Sequence, residues 1–300
     1  MADGVFRMNP SQPHVNELAD YERVIRPKKG LVAVDFDELW RYRELFWFLA
    51  WRDILVRYKQ AVLGVAWAVL KPFLTMVVFT IVFGKLAGFS EKKGMNFETY
   101  AVLTLAGLLP WQFFANAMAE SSNSLVGSSN MISKIYFPRL IIPASAVISG
   151  AVDFAIGLVI LFGVMIWAGV SWHLHLLLLP VFFLVAFAAA FAIGLWLSAL
   201  NVKYRDVKYI VPFIVQMGLY ASPVAFPSSL VREKFGDTVF FLFSLNPMVG
   251  VIDGFRWGVL GGAFEPYWPG FGVSLGVIAA LLISGALYFR RAEKTFADVI

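Results

Sequence analysis

From position 61 onward the chain alternates long apolar runs with short polar breaks. Six runs, at 64–83, 97–119, 141–169, 176–200, 209–222 and 271–289, approach the ~20 residues with which a helix crosses a bilayer's hydrocarbon core. The run at 176–200 is continuous, and a soluble core of this size has no need of it. The shortest, 209–222, carries Pro212 near its start. The first carries Lys71-Pro72, tolerable because a lysine snorkels to the headgroups and proline is accepted in membrane helices. Residues 223–269 break the rhythm. Their apolar pieces, 239–245 and 248–252, are interrupted by Asn246-Pro247, Asp253 and Arg256, and each is too short to span. Together they predict a helix–turn–helix that dips into the membrane and returns, with protein or a water-filled cavity around its irregular backbone.

Upstream, the polar residues 1–34 are interrupted by Pro10, Pro13 and Pro27 and predict a poorly structured tail. A helix is predicted over 35–60, opened by the acids of Asp35-Phe-Asp-Glu. On it Trp40, Trp47, Trp51, Ile54 and Tyr58 share a face, while Arg41, Glu44, Arg52 and Lys59 lie towards the other, with Arg57 near the end. Tryptophan plus arginine in this arrangement reads as a helix lying in the membrane interface. A soluble amphipathic helix packed on another domain would give the same pattern.

The expected fold is therefore all-α and integral to the membrane. It has six transmembrane helices in a single domain (61–300), an N-terminal amphipathic interface helix and a re-entrant segment before the last span. Composition agrees: 59% of residues are hydrophobic, 15% are charged, and the mean hydropathy is +0.72. The net charge of +5 would suit nucleic acid, but the basic residues sort by membrane side instead. With the N-terminus inside, the opposite loops keep only Lys85, Lys92, Lys93, Arg232, Lys234 and Arg256, leaving nineteen of the 25 Lys and Arg on the cytoplasmic side. Both termini are expected there, without a cleavable signal in the first forty residues. No nucleic-acid partner is expected.

Little in the chain suggests covalent chemistry. There is no cysteine, so no disulfide or thiolate. The only Gly-Lys pair, Gly84-Lys85, is followed by Leu86 and has Phe79 where a phosphate-binding loop needs its first glycine. His14, His173 and His175 stand away from other ligand-type residues, so neither a metal nor a resident cofactor is expected.

Three polar features inside the apolar runs invite a role. Tyr209, Phe213, Gln216 and Tyr220 recur at helical spacing on the fifth run. A buried amide without a partner costs a few kcal/mol, so a lipid-facing stripe seldom contains one; aromatic faces beside it would suit a sugar conduit, or equally helix packing. Gln112, Asn116 and Glu120 form a second stripe that reads as glue between helices or subunits. Asp153, deep in the third run, should be paired or protonated, as a structural pair or a proton relay. Between spans, 131–139 is a short amphipathic segment in which Ile135, Tyr136 and Phe137 present apolar area and Lys134 and Arg139 charge.

Several of these segments, in this order, resemble the permease subunit of polysaccharide-exporting ABC transporters, the group handling O-antigen, capsule and teichoic acid chains. The resemblance is carried by Arg57-Tyr-Lys-Gln-Ala-Val-Leu-Gly-Val-Ala-Trp-Ala-Val-Leu-Lys-Pro72, Lys134-Ile-Tyr-Phe-Pro-Arg139, Asn201-Val-Lys-Tyr-Arg-Asp-Val-Lys208, Val211-Pro-Phe-Ile-Val-Gln216 and Tyr220-Ala-Ser-Pro-Val224. It covers the chain from about Leu39; the long N-terminal tail departs from it. The resemblance implies a homodimer around a glycan channel in the bacterial inner membrane, with a separate ATP-binding cassette subunit that holds ATP and magnesium. It also implies that 131–139, with Lys134, Ile135, Tyr136, Phe137 and Arg139, is the coupling helix seated on that ATPase; a plain surface helix is the alternative. The implied cargo is a lipid-linked polysaccharide. Rival expectations are an exporter of small lipids or drugs with the same broad fold, and a membrane-embedded glycosyl- or acyltransferase.

Overall fold

The computed structural model describes residues 36–59, 64–92 and 94–296, and the predicted tail at 1–34 lies outside them. Two helices, α1 (Phe36–Arg41) and α2 (Arg43–Lys59), precede the first span. That span is α3 (Gly64–Phe79), prolonged by a π-helical turn over Thr80–Leu86; the short α4 (Phe89–Lys92) follows. Next come α5 (Phe97–Gly127), α6 (Ser129–Ile132) and α7 (Ile141–Trp167). A 3-10 turn (Leu174–Leu178) leads into α8 (Leu179–Lys203), then α9 (Val207–Tyr220), α10 (Ser229–Phe243), α11 (Pro247–Leu260) and α12 (Trp268–Ala292).

The bundle is built around α5. The most apolar stretch of this helix is 89% buried, against 17% for the first span, and α3, α7, α8, α9 and α11 all pack on it. Small residues set these approaches, as they do in membranes where no hydrophobic effect drives helices together. A Cβ on Gly157 of α7 would lie 2.4 Å from Leu109, and one on Gly194 of α8 would lie 2.4 Å from Ser121. The serine-containing stretch beyond the predicted end of the span at 119 stays helical to Gly127. Asn201 of α8 donates from Nδ2 to the Ser122 carbonyl at 2.9 Å there.

Among the described residues, five helical segments are long and apolar enough to cross a membrane: Ala66–Leu86, Phe97–Gly127, Ile141–Trp167, Leu174–Lys203 and Trp268–Thr295. The fifth predicted span, 209–222, corresponds to α9, whose 14 residues reach only ~21 Å of the ~30 Å hydrocarbon core. A sixth crossing is reached only if α10 and α11, bent by 116° at Ser244–Asn246, count as one. This bent pair lies within the 223–269 segment where a helix–turn–helix was expected, and its geometry is that of either a broken span or a re-entrant loop.

Beyond α9 the chain is irregular, and side chains bond to the carbonyls of residues 221–226. Asn246 Nδ2 donates to Ala221 at 3.2 Å, Tyr100 to Ala225 at 2.5 Å, and Arg256 to Val224 at 2.7 Å and Phe226 at 2.9 Å. Arg256 Nε also reaches the Leu103 carbonyl of α5 at 3.1 Å. Every backbone group freed in a low-dielectric interior needs such a partner. Arg256, expected in a solvent-facing loop, is thus completely buried, and α11 runs unbroken through it. Asp253, one turn earlier, is also buried and accepts from Ser228.

Candidate functional site

Three surfaces carry the residues singled out in the sequence. The first is α9. Val207 and Val211 are buried against the bundle, and Gly218 lets the helix close on Trp111, whose ring would lie 2.6 Å from any Cβ there. That attachment turns the opposite face outward. Tyr209, Phe213 and Tyr220 are 70%, 60% and 64% exposed, and Gln216 is exposed between them. The four residues do share one face, and within a single chain that face is open.

The second surface lies at the end of the bundle that carries Lys134, Lys203 and Arg290. The helix expected over 131–139 is only the single turn of α6, followed by irregular backbone to Arg139. Pro138 disfavours helix at the residue before it and lacks an N–H. Phe137 is instead drawn into a buried cluster with Leu49, Ile132, Ile141 and Phe296. The Arg139 N–H donates to Glu293 Oε1 at 3.2 Å, and its guanidinium to the Glu293 carbonyl. Tyr136 donates to Glu38 of α1 at 3.4 Å and accepts at its carbonyl from Tyr42 at 3.5 Å. Phe137 and Arg139 therefore anchor the segment, while Lys134, Ile135 and Tyr136 form its exposed tip.

The third is α2. Leu49 and Ala50 bury into the bundle, while Trp40, Trp47 and Trp51 are exposed, together with Phe48. Arg52 pairs locally with Asp53 at 2.8 Å. Arg57 departs from the interfacial role expected of it. Its guanidinium turns into the bundle and pairs with both Glu120 of α5 and Asp153 of α7. Tyr58 donates to the same Asp153 carboxylate, and Ser149 to Glu120 at 3.4 Å. Burial, and then the Asp153 carboxylate, hold the Tyr58 hydroxyl well above the usual tyrosine range, so it remains a donor. Asp153 is thus structurally paired, and Glu120 is the second acid that no sequence register had linked to it.

Among the described residues no group of three or more His, Cys, Asp or Glu could hold a metal. His173 and His175 have ring centroids 6.5 Å apart, and His175 lies against Trp257 at 4.6 Å. The clamp at Arg256 and the latch at Arg57 were missed in the sequence. The available signals were Asp253 and Arg256 among apolar residues and Asp153 inside the third run, since a charge there defaults to a buried, partnered group.

The model of the ABC-2 type transporter family matches residues 44–260, and the chain belongs to that family of multi-pass transport permeases. Among curated relatives, the O-antigen export system permease protein RfbA of Myxococcus xanthus is 27% identical over 221 residues, covering 73% of this chain and 81% of that protein. The protein of the same name from Klebsiella pneumoniae is 26% identical over 253 residues, covering 83% and 92%. The inner membrane transport permease YadH of Escherichia coli K12 is 26% identical over 220 residues, covering 71% and 83%.

Proposed function

We propose that this chain is the membrane-spanning channel subunit of an exporter that moves a lipid-linked surface polysaccharide, O-antigen foremost, across the bacterial cytoplasmic membrane. The observation that carries the reading is the open aromatic–amide face of α9. Aromatic faces stack on sugar rings without demanding one sugar, which suits a repeating polymer. A single chain leaves that face uncovered, and six hydrophobic elements cannot easily enclose a polymer-wide pore, so two copies would each contribute half. The relatives named for O-antigen export support the cargo. The energy comes from ATP hydrolysed on a separate cassette subunit, seated against the Lys134-Ile135-Tyr136 tip, and no reaction is assigned to this chain. Charge asymmetry supports cytoplasmic termini.

Deleting the gene tests this. The expected phenotype is loss of surface polysaccharide with lipid-linked polymer accumulating inside the cell, restored by the intact gene. Loss of polymer on both sides would instead indicate a synthetic enzyme. Unchanged surface polysaccharide would indicate a different cargo.

A further inference from the structure

A cavity of about 520 Å³ lies between α3, the start of α5 and the end of α7. That is the size of a small-molecule site. Its walls include Phe73, Met76 and Val77 of α3, Ala101 of α5, and Val164 and Trp167 of α7. The one hydroxyl in the lining, Thr80, is buried and already donates to the Met76 carbonyl at 2.7 Å. Nothing in the lining offers water the two to four polar partners it needs, so the space is filled by something apolar or stays empty.

Gly163 is exposed at this cavity and makes no close helix contact. On the same helix, Gly150 and Gly157 serve close contact: a Cβ on either would meet Phe113 or Leu109. At Gly163, a cavity-lining position, a Cβ would meet nothing within 4 Å. The missing side chain there opens space instead of bringing helices together. The mouth is continuous with exposed apolar surface, including Phe73, Val78 and Ile166. These belong to two of the spans, so where no second copy covers them the mouth opens on the hydrocarbon core. Trp167 stands at the end of α7, the residue type that favours the headgroup boundary.

We infer that this cavity is a resident-lipid site that takes one hydrocarbon chain of a bilayer phospholipid, with the headgroup left outside near Trp167. The inference needs only that the chain spans a bilayer and is independent of the cargo. An occupying chain would fill the gap behind α3, the least buried of the spans, and would set how closely α3 approaches α5 and α7.

The test uses the full-length protein with its ATPase partner in nanodiscs containing a phosphatidylglycerol with a photoactivatable diazirine on one acyl chain. Adducts are mapped by mass spectrometry. Labelling of Met76 and Val164 should exceed that of Leu184 and Ile283, exposed apolar residues elsewhere on the spans, by several-fold. Gly163→Leu and Gly163→Trp, which fill the space, should lower it stepwise to that background. If the tryptophan variant fails to assemble, the leucine variant decides alone. Equal labelling at all four residues, or unchanged labelling when Gly163 is filled, would overturn the site. So would absence of adducts with cross-linking between copies through a cysteine at position 76, because a second copy would then be the occupant.

Discussion

The guanidinium of Arg256 occupies the space that any side chain on Gly107 would need: a Cβ there would lie 2.8 Å from Nη2 and 3.1 Å from the Val224 carbonyl. The glycine of the central helix and the arginine of the bent pair are therefore one device. It places a positive charge among the carbonyls of Leu103, Val224 and Phe226, with Asp253 one turn away. A buried charge is tolerable only when so partnered.

Arg256→Ala would strip three carbonyls of a donor and leave Asp253 without its cation. Removing one member of such a group costs about 3–5 kcal/mol. Arg256→Lys should recover only part of this, because an ammonium lacks the planar fork that reaches several carbonyls. Gly107→Ala should cost about 1–3 kcal/mol through overpacking. Thermal unfolding of the purified protein would rank the three as alanine at 256 worst and lysine milder. Normal stability of Arg256→Ala would show that the break after α9 needs no clamp.

The latch at Arg57 makes a different prediction, because its members are 25% to 37% exposed. Arg57→Ala leaves two carboxylates facing each other without their shared cation. With the discount for solvent, a loss of about 1–3 kcal/mol is expected. Adding Glu120→Gln and Asp153→Asn should restore part of it, since the repulsion disappears with the charges. Limited proteolysis of α2, at Arg52 or Lys59, gives a direct measure of its detachment. Equal detachment in the single and triple variants would reduce the cluster to packing.

The tip and anchor of the 131–139 segment separate by mutation. Phe137→Ala removes a buried ring and should destabilise the fold by about 3–5 kcal/mol. Ile135→Ala with Tyr136→Ala removes exposed area and should leave unfolding nearly unchanged. If the tip seats on the ATPase, the double variant should lose the co-purifying cassette subunit, as loss of interface hot spots does. Full retention of the subunit with intact export would confine this tip to the membrane surface.

How much of this was legible in the sequence follows from the range of each interaction. The five long spans need only length and composition, which any stretch displays locally. The Tyr209–Tyr220 stripe needs only helical spacing, and its exposure followed from valines on the other face. The identity of α5 as the central helix was not legible, because α8 is at least as apolar. Its centrality rests on glycines of α7 and α8 that bring those helices close. Arg57 was read as interfacial from its own helix, because Glu120 and Asp153 come from two others. The single turn of α6 was readable in principle, since Pro138 forbids the longer helix.

Orientation can be read by cysteine labelling, helped by the absence of native cysteine. Asn130 lies in the segment expected inside and Glu91 in the loop expected outside, and both are exposed. Ser90 would be a poor reporter, being buried with its hydroxyl on the Gly84 carbonyl at 2.9 Å. In intact cells an impermeant maleimide should label Glu91→Cys and spare Asn130→Cys. The reverse pattern would invert the topology.

The stripe on α9 admits the sharpest test, at Tyr220. If its ring stacks on sugars in a conduit, Phe and Trp should preserve export, because each keeps a π face. Leu should then behave like Ala. Stacking on the aromatic-pair scale contributes about 1 kcal/mol per contact, so single losses are modest and paired losses with Phe213 should be clear. If the face instead packs against a helix of the second copy, Leu would be accepted, while Trp would overfill the contact at a cost of about 1–3 kcal/mol. The open position of Tyr220 in the single chain matters here. With 64% of the residue exposed, Trp has room within the protomer, and any strain it causes must come from a partner. Surface polysaccharide measured for Ala, Leu, Phe and Trp, with ATPase docking and dimer recovery as controls, therefore separates the readings by rank order. Normal export by Leu with failure of Trp would assign this face to packing and move the conduit elsewhere.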